Sequence, residues 1–139
     1  MTLYSTLYNR ALAQITDPLL AQLPEEDLAI MLHDWLLDAI VEPVVGTYDF
    51  ADRDDELMQF NFDISELDQR IISIHMVRSW LRPQITSVTL TQQVYSGKET
   101  KFYSQKEMLN EMQALDEKLR KDADLLFCRG TYQNNDYFD

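Results

Sequence analysis

The scarcity of backbone breakers is the feature that most constrains the fold of this chain. Its 139 residues include only three glycines and four prolines, while apolar residues recur at spacings of three and four over long stretches. A β-sandwich or barrel needs many tight turns, whereas a helical bundle needs few. A chain of this length is also typical of one domain. The sequence therefore predicts a single all-α domain over residues 1–130, built as a small bundle of about four helices.

The first two helices have clear sequence boundaries. Apolar residues at helical spacing run from Leu3 to Ile15, before Pro18 interrupts the pattern. The second helix starts around Pro24, which precedes three acidic residues that favour the positive end of a helix dipole, and it ends near Val41. One face of this helix is apolar and the other is acidic, so the apolar face must pack on a partner.

The third helix is predicted to begin at a cap supplied by Asp63 or Ser65 and to end before Pro83. The β-branched residues of 85–94 fit either an extended segment or a continued helix, and both stay open at this point. Residues 83–104 are therefore expected to form a protruding connection, extended or hairpin-like. Its candidate contact residues are Tyr95, Lys98, Lys101, Phe102 and Tyr103.

The fourth helix is predicted to be the longest. Ser104 and Glu107 have the spacing of a capping box, which places its start at about Gln105. It is expected to run to Cys128, with Gly130 as its C-cap. The neighbouring apolar residues suggest that Cys128 packs as a small hydrophobe.

The remaining residues, 131–139, are too short and polar for a domain and are expected to form an extended interaction tail. The tail carries three aromatic side chains that could anchor it in a partner's pocket: Tyr132, Tyr137 and Phe138. Its composition fits equally well a tail that folds back on its own bundle or stays disordered.

Acidic residues concentrate in the first half of the chain. Residues 1–69 hold 15 acidic and two basic side chains, a net charge of −13, whereas residues 70–139 have a net charge of +1. This balance argues against a reader of nucleic acid, because binding phosphates requires clustered Lys and Arg. An acidic surface can instead line a passage for DNA, mimic DNA toward a basic partner, or keep a protein soluble. The candidate acidic loop carries Asp49, Asp52, Asp54, Asp55 and Glu56.

The sequence shows no pattern of a metal site, a nucleotide site or an activated nucleophile. His33 and His75 lack a partner at metal-ligand spacing, so each is interpreted as a helix-surface or interhelical polar residue. We therefore predict no cofactor, no bound metal and no catalytic residue. An enzyme whose site is assembled from distant carboxylates, such as Glu25, Asp38 and Asp68, stays open as a third class of function.

Targeting signals are also missing from the sequence. Its single cysteine excludes an internal disulfide and fits a reducing compartment. The first residues lack a basic segment followed by an apolar run, and no apolar stretch approaches the ~20 residues of a membrane span. The protein is expected to be cytosolic or assembled from the cytosol, without membrane contact.

The order of these segments resembles the head–tail connector proteins of tailed bacteriophages, which include adaptor, neck and head-completion proteins. The likeness consists of an acidic helical first half, a third helix over 63–81, an intervening segment with Tyr95-Ser-Gly-Lys and Lys101-Phe-Tyr-Ser-Gln-Lys, and a long closing helix. It covers about residues 1–128 and is strongest over 63–115. It rests mainly on hydrophobic spacing and on the aromatic-Ser-Gln entry into the closing helix.

The resemblance implies a structural virion protein without enzymatic activity. Such subunits form a homo-oligomeric ring, typically twelve-fold, beneath the portal, where they extend the DNA channel and join the capsid to the tail. The implied partners are further copies, the portal protein and the tail, stopper or tail-completion proteins, while DNA passes without sequence-specific binding. The C-terminal segment of such proteins commonly docks on the portal, which would give Tyr132, Tyr137 and Phe138 a role.

The same resemblance implies that the protein is made in the host cytoplasm and resides in the virion, at the head–tail interface. The leading alternative is an acidic inhibitor or DNA mimic that binds a basic nucleic-acid enzyme through the acidic loop. Such a protein would need only a monomer or dimer, and its binding would weaken steeply with salt.

Overall fold

The computed structural model describes residues 1–15, 20, 22–94 and 99–133, which form four α-helices of nine or more residues and three short strands. The helices are α1 (Tyr4–Leu12), α2 (Glu25–Ala39), α3 (Glu66–Val94) and α4 (Glu99–Gln133). The strands are β1 (Thr2–Leu3), β2 (Arg53–Asp54) and β3 (Gln59–Phe60). A mostly helical fold with about four helices is confirmed, but the strands correct the all-α class.

The three strands form one antiparallel sheet with β3 in the centre. Thr2 and Arg53 both pair with Phe60. The backbone N–H of Tyr4 donates to the Met58 carbonyl at 2.9 Å, just beyond the paired residues. Each strand has only two residues. Strands this short show no alternation of polar and apolar positions, so the sequence pattern does not reveal the sheet.

Residues 49–62, which contain β2 and β3 and are called the acidic hairpin below, are held to the core by aromatic rings. Phe60 is completely buried and meets Phe50 edge-on, with ring centroids 5.6 Å apart. Tyr48 stacks on Phe62 at 5.3 Å. These aromatic contacts attach an otherwise solvated loop to the core.

Helix α2 has the boundaries and faces that the sequence predicts. It begins directly after Pro24 and ends at Ala39, two residues before the predicted end. Three acidic residues occupy its first turn, where they complement the helix dipole. Its buried side is apolar, consisting of Leu32, Trp35, Leu36 and Ala39. The opposite side is exposed and acidic, with Asp27, Asp34 and Asp38.

Helix α3 occupies the centre of the fold. Every residue from Ile71 to Ser79 is buried, because α1, α2 and α4 all pack against this helix. Its N-terminus is capped by Ser65, whose Oγ accepts a hydrogen bond from the Asp68 N–H at 3.2 Å. The predicted cap is therefore confirmed, with Ser65 rather than Asp63 in that position.

The predicted end of the third helix before Pro83 is wrong, since α3 continues to Val94. A proline removes one backbone N–H from a helix. Beyond the proline, Ile85 packs against the core and is partly buried. Burial on the far side of Pro83 thus favours the helical alternative over the extended one for the β-branched segment.

The predicted start of the fourth helix at Gln105 is also wrong. α4 begins at Glu99, so Ser104 and Glu107 lie inside it and do not form a capping box. The expected connection over 83–104 is corrected accordingly, because its described parts are the end of α3 and the start of α4. Residues 95–98 lie outside the described residues.

The C-terminal boundary of α4 differs from prediction for a packing reason. Gly130 is buried inside the helix, where an added Cβ would lie 2.5 Å from Leu67 Cδ2 and would also meet Val45. The glycine therefore permits close approach of α4 to its neighbours, and it is not a C-cap. The expected burial of Cys128 is wrong, since this residue is exposed. The tail prediction is corrected over 131–133, which are the last residues of α4.

Candidate functional site

The acidic hairpin contains the five carboxylates that sequence analysis selects, and most of them stabilise the hairpin itself. Asp54 accepts hydrogen bonds from two backbone N–H groups of the following turn, at 2.9 and 3.0 Å. Asp52 accepts one from the Asn61 side chain at 3.0 Å, and Asp49 accepts one from a backbone N–H two residues later at 3.2 Å. Glu56, which is exposed, makes no side-chain hydrogen bond or ion pair with the described part of the chain.

Asp55 connects the hairpin to α1 and α2. The buried Tyr4 hydroxyl donates to its Oδ1 at 2.7 Å, and Arg53 Nε and His33 Nε2 lie 3.6 and 3.9 Å from the same oxygen. Burial, together with this hydrogen bond, raises the pKa of Tyr4 well above its ordinary value of 10.0. The hydroxyl therefore stays protonated and keeps donating to Asp55 over the neutral pH range.

A groove of 280 Å³ lies between α2 and the turn of the acidic hairpin. Apolar and acidic side chains line it together: Ala29, Ile30, His33, Asp34, Asp55 and Met58. Ile30 is 63% exposed, and Leu57 in the same turn is 64% exposed. Asp34 makes no hydrogen bond or ion pair with any described residue. The groove thus presents uncovered apolar surface beside uncompensated negative charge.

A second cavity, of 430 Å³, lies between α3 and α4, and basic side chains converge on it from both helices. Arg78 donates to Asp116 across the two helices at 2.8 Å. Arg120 donates to Glu117 at 2.6 Å and to Asp124 at 3.2 Å. These pairs compensate two of the three arginines that line the cavity, Arg78 and Arg120. The Arg78–Asp116 pair joins α3 to α4, whereas both partners of Arg120 lie on α4 itself, and the sequence pattern contains no signal for the cross-helix pair.

His75 lines the same cavity and is buried on α3. Burial lowers its pKa below the ordinary value of 6.5, and the nearby charges act in both directions. Its Nδ1 lies 3.4 Å from Arg78 Nη1, a distance at which a neutral ring nitrogen can accept a weak hydrogen bond. The structure therefore shows His75 as an interhelical polar residue, one of the two alternatives that its sequence context suggests.

Asp68 has a role that the sequence analysis missed. This nearly completely buried carboxylate accepts hydrogen bonds from the N–H groups of Val45 and Gly46 at 2.8 and 2.9 Å, and from the Tyr48 hydroxyl at 2.8 Å. The Tyr48 hydroxyl in turn accepts one from the Ser65 N–H at 3.1 Å. A buried carboxylate requires such donors. Asp68 therefore fixes the segment that leads from α2 to the hairpin, and no local motif marks partners so distant in sequence.

The three distant carboxylates considered for an assembled catalytic site are not brought together. Glu25 and Asp38 lie on α2, separated by about 20 Å of helix axis. Asp68 is buried in the hydrogen bonds just described. The structure thus gives no common site for this set.

The predicted partner-contact residues divide between the two ends of α4. Lys101, Phe102 and Tyr103 lie near its start, and Tyr132 lies in its last turn with 66% of its surface exposed. These positions are about 45 Å apart along the helix axis, so they cannot form one contact site. The other members of the two sets, Tyr95, Lys98, Tyr137 and Phe138, lie outside the described residues.

Within the described ranges, no group of three or more His, Cys, Asp or Glu side chains is placed to hold a metal ion. No helix in the same part of the chain combines the length and hydrophobicity needed to cross a membrane. Comparisons with protein-family models, curated proteins and solved structures found no match. The function must therefore be argued from the surfaces of this chain.

Proposed function

We propose that this protein is a structural subunit of a tailed-bacteriophage neck, a head–tail connector that assembles as a ring beneath the portal and extends the DNA channel. The observation that carries the proposal is the presence of two different surfaces on one fold. One is an acidic surface on α2 and the acidic hairpin, and the other is a partly uncovered apolar flank on α4. The sequence resemblance over 63–115 supports the same assignment.

The apolar flank lies beside the buried side of α4. Met112, Leu119, Ala123 and Leu126 pack into the core from this helix. Met108, Leu115 and Leu125 remain 50%, 39% and 52% exposed. A subunit of a closed ring is contacted by a neighbour on each side, so it needs apolar surface that its own core does not use.

The acidic surface fits a protein that lies near DNA without holding it. Asp27, Asp34 and Asp38 are exposed on α2, and Glu56 is exposed on the adjoining hairpin. Negative charge of this kind repels phosphates, whereas a binding surface would need Lys and Arg to displace counterions. The wall of a channel through which DNA slides must likewise repel phosphates and not bind them.

The assembly state of purified protein tests this proposal. Native mass spectrometry and light scattering at moderate salt should show a closed ring, or stoichiometric attachment to portal-containing particles. Leu115→Ser and Leu125→Ser should weaken ring closure because they remove uncovered apolar surface from α4. Gln113→Ser, a change at an exposed polar position on another face of the same helix, should leave assembly intact.

The tail requires a separate variant, because 131–133 belong to α4. Replacing residues 134–139 with Gly and Ser at equal length keeps the helix and Tyr132 and removes the other two aromatic anchors, Tyr137 and Phe138. Loss of portal attachment with retained ring formation would identify the tail as the docking segment. A monomer that forms a one-to-one, salt-sensitive complex with a basic nucleic-acid enzyme, and neither a ring nor a portal complex, would overturn the proposal in favour of the acidic inhibitor.

A further inference from the structure

The groove between α2 and the acidic hairpin has the size and lining of a small docking site. Its volume is 280 Å³. For comparison, an engineered cavity of about 150 Å³ is large enough to bind benzene. Ile30 and Met58 line the groove. It therefore has room for one large apolar side chain supplied from outside.

The backbone at Met58 adds a second observation. Met58 has φ = 55° and is the only non-glycine residue with positive φ among the described residues. A non-glycine side chain in this conformation costs roughly 1 kcal/mol, which Gly would avoid. The chain nevertheless places a flexible thioether at this position, and such side chains adapt well to apolar partners.

The charges around the groove indicate which kind of partner fits. Asp34 lies one helical turn after Ile30 on the same face of α2, and Asp34 and Glu56 have no ion-pair partner among the described residues. Asp55 is partly compensated by Arg53. The groove is thus apolar at its centre and negative at its edge, which complements a segment with the opposite rim charge.

We infer that this groove binds a basic amphipathic segment of a partner protein. One apolar side chain of that segment inserts between Ile30 and Met58, and its Lys or Arg side chains lie near Asp34 and Asp55, the two carboxylates that line the groove. A second copy docking through its own acidic half fits less well, because residues 1–69 have a net charge of −13 and would bring like charge to the edge of the groove. This inference does not depend on the connector proposal.

A synthetic amphipathic peptide of about 14 residues made of Leu and Lys serves as the probe, with a scrambled, non-amphipathic peptide of identical composition as its control. Fluorescence anisotropy measures the binding of both peptides to the full chain at about 50 and about 300 mM salt. The amphipathic peptide should bind more tightly than the scrambled one and should lose affinity several-fold at the higher salt. Amide shifts in NMR spectra should concentrate at Ala29, Ile30, Asp34 and Met58.

Two pairs of variants separate the groove from general electrostatics and from folding. Met58→Gly removes the side chain but suits the positive φ, so it should weaken peptide binding about tenfold without loss of thermal stability. Asp34→Asn should weaken binding more than Asp38→Asn, which makes the same charge change one turn further along α2. The inference fails if Met58→Gly binds like wild type, if the two Asn variants are equivalent, or if shifts concentrate on α4. It also fails if the protein self-associates without peptide and Met58→Gly abolishes that association, since the occupant would then be a second copy.

Discussion

Replacing Gly130 with alanine tests whether close packing of α4 explains why a glycine occupies this position inside the helix. Alanine is favoured over glycine in a helix by up to about 1 kcal/mol, so an open site would make Gly130→Ala more stable than wild type. Here the new Cβ would lie 2.5 Å from Leu67 Cδ2 and 3.2 Å from Val45 Cβ. The Leu67 methyl can rotate away, but the new Cβ would also meet the Cγ2 methyl of Val45, whose β-branched side chain has few alternative rotamers. Overpacking of this kind typically costs about 1–3 kcal/mol.

The two effects have opposite signs, and the packing cost should win. We expect Gly130→Ala to lose about 1.5 kcal/mol of unfolding free energy, which corresponds to a decrease in Tm of roughly 5 °C for a domain of this size. Urea denaturation followed by far-UV circular dichroism measures the change, provided that the m-value stays constant. Cys128→Ala is the matched control, because Cys128 is exposed on the same helix and should change stability by less than about 0.5 kcal/mol.

A double-mutant cycle identifies the source of the clash. Val45→Ala alone should destabilise by about 1 kcal/mol, because it removes partly buried methyl groups. The double variant, Val45→Ala with Gly130→Ala, should lose less stability than the sum of the two single losses, by at least about 0.5 kcal/mol. The reason is that the truncated side chain makes room for the new methyl group. Additive losses, or a Gly130→Ala protein as stable as wild type, would refute this explanation of the glycine.

Three further predictions concern buried polar groups. Asp68→Ala leaves three donors without an acceptor and should lower the free energy of unfolding by about 3 kcal/mol. Tyr48→Phe removes one of these donors and should lower it by about 1 kcal/mol. Equal losses in urea denaturation would contradict the three hydrogen bonds to Asp68. Because burial lowers the pKa of His75, the unfolded chain binds this proton more readily and stability falls as pH drops below 6.5. In His75→Gln, the urea midpoint should therefore depend less on pH below 6.5 than it does in wild type. Ser79→Ala, one turn away, is the control. If the two variants show the same pH dependence, His75 is not the titrating group. Tyr4 has its pKa raised above 10.0, so its contribution to stability is lost as pH rises past that value, and Tyr4→Phe should unfold less steeply with alkali. A tyrosinate absorbance change that precedes unfolding in wild type and is missing in Tyr4→Phe would count against a buried hydroxyl.

The local signals in the sequence predict the ends and faces of α2 and the cap of α3 because neighbouring residues determine both. Pro24, the acidic first turn and the apolar stripe act within one helix, and Ser65 caps a backbone N–H three residues away. The same local rules failed where distant packing decided the conformation. Pro83 does not end α3, because Ile85 is partly buried against the core beyond it, and Gly130 does not end α4, because the glycine allows close approach of Val45 and Leu67.

The acidic composition of the candidate site could be predicted from the sequence, but the spatial arrangement of its residues could not. The acidic run around Asp52 is visible in sequence, but the pairing of β1 with β3 joins residues from opposite ends of the first 60 positions. The groove needs Ile30 from α2 and Met58 from the hairpin turn, and neither residue has a sequence feature that relates it to the other. Residues that meet only through tertiary contacts of this kind have no periodicity or motif to reveal them.

The geometry of the groove depends on residues outside it. The turn that carries Met58 is tied to α1 by the N–H of Tyr4, while the Tyr4 hydroxyl holds Asp55 on the other side of the same turn. The start of α1 therefore acts as a support for one wall of the groove, and α2 supplies the other wall through Ile30. A change at Tyr4 should alter peptide binding by moving the hairpin, even though this side chain is completely buried and is not among the groove-lining residues. The acidic surface therefore depends on the core beneath it. Asp55 lines the groove, and the hydrogen bond that it accepts from the buried Tyr4 hydroxyl holds Asp55 in place.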